Sequence, residues 1–278
     1  PNELPTYISN ITTGNWNTAT SWILDEDGSG TIDGGETTTE VPEPGSRVIV
    51  QSGHTITADI NDIVIYATEI QGTMDVATTD GHNFGIVTGS GMLRTEQQVL
   101  PGGDFDQFFT LANGGVEFAG ATSYNISADF ASARELIISG GGVKTLPAVN
   151  YAIGSGGIQI NNNSTLTNGN NNSITVNGPV DIVSGILNAG NASANLSTTN
   201  LTLTTGTYDA NGTSILVSGA VTMDGGTFNA GSGNLQIGGD LTLTGSVFNN
   251  EGSTITFNGG SNQTIDGGFS TSPFNNIT

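Results

Sequence analysis

GAVTMDGGTFNAGSGNLQI, residues 219–237, is followed almost at once by GDLTLTGSVFNNEGSTITF, residues 239–257, and the two lines superpose. Towards the N-terminus, NLTLTTGTYDANGTSILVS from Asn200, GPVDIVSGILNAGNASANL from Gly178 and GGIQINNNSTLTNGNNNSITV from Gly156 carry the same three apolar beats. Ile158, Val180, Leu201, Val221 and Leu241 make a first column. Leu166, Leu187, Tyr208, Phe228 and Phe248 make a second, and Val176, Leu196, Val217, Ile237 and Phe257 a third. A step of about 20 residues lies in the range of solenoid repeats.

Within each beat apolar and polar residues alternate, as in Leu241-Thr242-Leu243 or Ile255-Thr256-Phe257, which is the period of a half-buried strand. Gly, Asn and Ser separate the beats, where corners demand positive φ. Three short strands and three corners make one rung of a parallel β-helix, each rung about 4.8 Å above the last. No window shows an apolar period of 3.6, so helical solenoids are excluded. The expected fold is all-β, a parallel β-helix, right-handed as parallel crossovers are. A rung buries its apolar face only against its neighbours, so stability is collective. Asparagine clusters such as NNNS at 161–164 suit corner ladders in which each amide bonds the one above.

The division expected is a cap over residues 1–47, irregular rungs over 48–155 and regular rungs over 156–278. Trp16 and Trp22, the two tryptophans, read as apolar plugs of the cap, with sugar stacking as the alternative. A longer repeat aligns VEFAGATSYNIS from Val116 with ITFNGGSNQTID from Ile255. The chain stops within that motif and opens at Pro1 without a leader, so a longer, processed parent with further repeats is expected.

Four Lys and Arg against 25 Asp and Glu give a formal charge of -21, which argues against nucleic acid and anionic membranes as partners. The apolar runs are too short to span a bilayer. Without cysteine there is neither a disulfide framework nor a thiolate site. The regular spacing of Val, Ile, Leu and Phe argues against disorder.

GNWNTATSW (14–22), VPEPGSRVIVQSGHTITAD (41–59), GTMDV (72–76) and VTGSGMLR (87–94) resemble the glycine-rich β-strand domain named for its eight conserved glycines. ITFNGGSNQTIDGG (255–268) with FNNIT (274–278) is similar to the rungs of the giant adhesins of Bacteroidota related to the gliding adhesin. The resemblance implies export by the type IX route and display on the bacterial cell surface. It is interrupted between Trp22 and Val41, and the usual C-terminal sorting domain is not in this stretch, as expected of a fragment of a longer parent.

That interruption holds DEDGSGTIDGGE, residues 25–36. Counting from Asp25, the template of a calcium loop places Asp27 at three, Ser29 at five, Thr31 (by its carbonyl) at seven, Asp33 at nine and a bidentate Glu36 at twelve, with Gly30 at the sharp turn. Calcium takes six to eight oxygens, which this set supplies. The flank TTTEVPEPG is β-branched and Pro-bearing, so the expectation is a calcium loop inserted in a β scaffold rather than a helix pair. The alternative is a solvated acidic turn.

Catalytic signals are poor. His54 and His82 have no nucleophile motif beside them, and Asp104 with Asp106 is the best carboxylate pair. The expectation is a calcium-stabilised structural segment of a secreted surface adhesin or filament, not an enzyme. Its partners are further repeats of the same polypeptide, other copies of the chain, or surface polysaccharide. Polysaccharide binding or degradation is the alternative, and an ice-binding row of Thr202, Thr222 and Thr242 a second.

Overall fold

A computed structural model describes residues 4–37, 40–169, 172–191, 193–267, 274 and 276–278. The chain divides into two compact units, Pro1–Glu117 and Phe118–Thr278. Both are parallel β-solenoids, and among the described residues the helical content is one 3-10 turn, Ala19–Ser21.

In the first unit one sheet runs in the order Gly102–Asp104, Asn83–Thr88, Ala67–Ile70, Arg47–Val50, Thr6–Ser9, Trp22–Asp25. All its pairings are parallel except the last, where Trp22–Asp25 lies antiparallel to Thr6–Ser9 at the edge. A second ladder stacks Thr13–Asn15, Thr55–Thr57, Thr73–Asp75 and Met92–Thr95. Register aligns Tyr7, Val48, Thr68 and Val87 in one buried row, and Ile56, Met74 and Leu93 in another. The row accepts the polar Thr68 because its hydroxyl donates to the Phe84 carbonyl at 2.9 Å. On the outward side Arg47 pairs with Glu69 at 2.9 Å and Arg94 with Asp75 at 2.7 Å.

In the second unit the register confirms two of the three columns. Ile158, Val180, Leu201, Val221 and Leu241 are direct partners, 22, 21, 20 and 20 residues apart. Leu166, Leu187, Tyr208, Phe228 and Phe248 are likewise partners, the first four buried and Phe248 partly so. The last three rings stack face to face at 4.9 and 5.1 Å, spacings set by the strand separation itself. Gly226 turns the corner into this column at φ +73, where a Cβ would meet the Gly206 carbonyl oxygen at 2.1 Å.

The third column needs correcting. Leu196 stands opposite Ile215, and Thr198 opposite Val217. Two inward rows therefore run side by side, Ile174, Leu196, Ile215, Leu235, Ile255 and, one position class over, Thr198, Val217, Ile237, Phe257. Thr198 is tolerated inside because its hydroxyl lies 2.9 Å from the Gly178 carbonyl and 3.0 Å from that of Asn200.

The longer repeat does not hold either. Tyr124–Asn125 pairs with Val143–Thr145 in the seven-stranded sheet, whereas Ile265–Gly267 pairs with Leu241–Leu243 in another ladder. Asparagines 162 and 163 form no ladder; at φ +53 and +56 they supply the left-handed corner. The amide ladder lies instead on the strands, where Asn249 donates to Asn229 at 2.8 Å and Asn229 donates to Asp209.

Candidate functional site

The acidic loop leaves the antiparallel edge strand Trp22–Asp25 of the first unit. Asp25, opposite Thr6, is the buried member, and a buried carboxylate needs donors. It has three: Oδ1 accepts from Gly28 N at 2.8 Å and Ser29 N at 3.2 Å, and Oδ2 accepts from Gly30 N at 2.8 Å. A carboxylate offers about four acceptor sites, so capacity for a further partner remains. Gly30 takes φ +76, the turn its place in the template requires. Asp27 accepts from Ser29 N at 2.9 Å, and that bond, with the Ser29 hydroxyl, holds its carboxyl below the usual range. Glu36 spans the loop, accepting from Glu26 N at 3.2 Å and Asp33 N at 2.8 Å.

One oxygen each from Asp25, Asp27 and Glu36 falls within 4.8 Å of the others. Ser29, Thr31 and Asp33 form a second group, in which the Ser29 hydroxyl lies 3.1 Å from the Thr31 carbonyl and 3.3 Å from an Asp33 oxygen. The six sequence-predicted ligands are thus gathered in one loop as two neighbouring sets. The groups present are all hard oxygens, which suit a hard cation such as calcium or magnesium and not a thiophilic or imidazole-preferring metal. The flank residues Thr38 and Thr39 lie outside the described residues.

Both tryptophans are buried, Trp16 at 2% exposure and Trp22 at 0%, which removes the sugar-stacking alternative. They meet edge to face at 5.0 Å, and the Trp22 indole N–H donates to the Trp16 carbonyl at 2.8 Å. Asp104 accepts from the backbone N of Asp106 at 3.1 Å, a local turn bond, while Phe105, Phe108 and Phe109 cluster beside it.

Two arrangements escaped the sequence. Ser9 Oγ lies 2.9 Å from His54 Nδ1, the separation of a nucleophile and its base, yet Ser9 is 0% exposed and also accepts from Gln51 N at 2.9 Å. No substrate reaches it, and the pair ties two neighbouring turns together. Lys144 stands in the second column between Tyr124 and Leu166, fully buried. Its Nζ donates to the carbonyls of Gly120 and Gly141, reaches that of Ser139 at 3.3 Å, and sits 5.3 Å above the Tyr124 ring. Three carbonyls match the three hydrogens of an ammonium, and burial lowers the Lys144 pKa.

The outward row Thr202, Thr222 and Thr242 is in register, bounded by Asp181 and Asp266. Among the described residues no helix is long and apolar enough to cross a membrane. No family model, curated protein or solved structure matches the chain.

Proposed function

We propose that this chain is a structural segment of a secreted bacterial cell-surface adhesin or filament, with calcium fixing the acidic loop. The observation that carries the reading is the allocation of side chains in the second unit: inward positions fill columns, and strand amides bond one another along the stack. Little chemistry is left over there for catalysis, while a stack of this kind extends by adding rungs. The charge of -21 keeps such a surface soluble and gives divalent cations a bridging role between copies or towards acidic polysaccharide.

In the loop, Asp25, Asp27 and Glu36 would supply carboxylate oxygens, with Ser29, Thr31 and Asp33 completing the set. The ion would offset the repulsion of five acids in twelve residues. Its place at the antiparallel edge strand makes the expected role one of holding the end of the first unit closed.

The test is antibody labelling of intact cells that make the protein, paired with attachment assays on cells lacking it. Surface labelling and reduced attachment are expected. Labelling that requires permeabilised cells, or attachment unchanged by the loss, refutes the reading.

A further inference from the structure

His82 lies in the wall of a pocket of about 290 Å³ in the first unit, between the corner Val76 to His82 and the segment Gln97 to Gly102 of the following turn. The residue is 5% exposed and its ring stacks on Phe84 at 5.4 Å with 12° between planes, so its orientation is fixed by packing.

The tautomer follows from Thr79. The Thr79 hydroxyl lies 2.8 Å from the Ala58 carbonyl, 2.6 Å from the Val76 carbonyl and 3.0 Å from His82 Nε2. A hydroxyl has one hydrogen, and the 2.6 Å approach to the Val76 carbonyl, too close for two bare oxygens, assigns it there rather than to the ring nitrogen. Nε2 must then be the donor to Thr79. In the neutral ring this leaves Nδ1 as a bare acceptor, and Nδ1 is buried with no partner. Burial is also the main influence on the ring, lowering its pKa and favouring the neutral form against the opposing pull of Asp80, of the Thr79 backbone and of Asp62.

An orphaned buried acceptor calls for a donor. The rest of the wall narrows its chemistry. Asp80 and Gln98 add exposed acceptor groups, Val76, Val99 and Leu100 add apolar surface, and the lining contains neither Lys nor Arg. An anion would meet Asp80 and no cationic side chain there. A ring carrying hydroxyl donors on its edge and C–H groups on its face matches both kinds of wall.

We propose that this pocket binds one neutral polyhydroxylated ring, a hexose residue of a polysaccharide, with a ligand hydroxyl donating to His82 Nδ1 and the ring face lying on Val99 and Leu100. Nδ1 is closed off in this structure, so the proposal requires the segment Gln97 to Pro101, which belongs to no strand, to move outward when the ligand enters. The proposal deepens the surface-protein reading by giving it a ligand class, and it is independent of calcium.

The experiment uses the full chain labelled with nitrogen-15 at histidine, titrated separately with glucose, galactose, mannose, N-acetylglucosamine, glucuronate and zinc alone. At least one neutral sugar should move the His82 Nδ1 resonance along a saturable curve, with a dissociation constant on the order of millimolar, as suits a ligand of about a dozen heavy atoms. Glucuronate should bind about tenfold more weakly than that sugar or worse, a factor of about 1.4 kcal/mol. Val99→Glu, at an exposed position of the mouth, should weaken the sugar by about tenfold with unchanged melting. In the same titrations with uniform nitrogen-15 labelling, His82→Phe, which keeps a ring on Phe84, should abolish the response of the backbone amides around the pocket.

No response to any neutral sugar overturns the proposal, as does sugar binding indifferent to both variants. A response confined to zinc overturns it in favour of a metal site. Cells that display the protein while the chain takes no sugar would refute this inference and leave the surface role standing; sugar binding by a chain that stays inside the cell would do the reverse.

Discussion

The two units share an architecture and differ in what their side chains do. In the second, rows run in register and like stacks on like: Tyr208 on Phe228 on Phe248, Thr202 on Thr222 on Thr242. In the first, the buried rows are mixed, Tyr7 with Val48, Thr68 and Val87, and the core recruits Trp16, Trp22, Phe84 and Phe108 from corners as well as strands. Both histidines, both tryptophans and the acidic loop lie there too. Repetition stabilises by making every rung its neighbour's template, so a rung with a special group departs from the pattern and must be held by particular bonds. The Asp25 cradle and the Thr79–His82 pair are such bonds.

The largest test of that contrast is Phe228→Ala. It removes the middle of a buried aromatic stack and should cost about 3–5 kcal/mol, read as a lower denaturant midpoint of the second unit. Thr222→Ala, on the outward face of the same turn, should stay within about 0.5 kcal/mol. Equal effects would mean that the columns do not carry the stability.

Calcium should act on the first unit only. At a hundredfold excess over its dissociation constant the ion adds about 2.7 kcal/mol. Thermal melting of the wild type should therefore rise with calcium and fall with chelator, while Glu36→Gln should respond little to either. Identical wild-type melting with calcium and with chelator reduces the loop to a solvated acidic turn.

A smaller effect is expected from Lys144, by pH. Burial lowers its pKa in the folded chain below the value of about 10.4 in the unfolded chain. Between the two values the unfolded state binds more protons, so the contribution of Lys144 to stability should rise with pH across that window and be flat below it. Urea unfolding of the wild type against Lys144→Met, from neutral pH to above 10, isolates this slope. A difference that falls with rising pH would show that the ammonium is favoured by its site.

How much of this was legible follows from the same contrast. Columns one and two could be read because each position repeats an apolar type at each step. Column three slipped because matching apolar to apolar chose Leu196 for Val217's partner and passed over Thr198, whose polarity gives no hint of burial. Around Lys144 the sequence GGVKTL suggests Val143 inside and Lys144 outside; the structure has Val143 39% exposed and Lys144 buried. A strand alternates strictly, so one residue of phase reverses every side chain, and only the three carbonyls at the corner make the less obvious phase workable. The loop at 25–36 could be picked out as a candidate because its oxygens are spaced along the chain itself. The His82 pocket was not, because its two walls are corners of successive turns about 20 residues apart.

The claim beneath all of these is register, and the absence of cysteine makes it directly testable. Thr222 and Thr242 are direct partners on neighbouring parallel strands, which places their Cα atoms about 4.8 Å apart, within disulfide range. The double variant Thr222→Cys with Thr242→Cys should oxidise completely within the folded monomer. Thr222→Cys with Gln236→Cys, residues of different ladders, should not. Equal cross-linking of both pairs, or none in the first, would contradict the in-register stack.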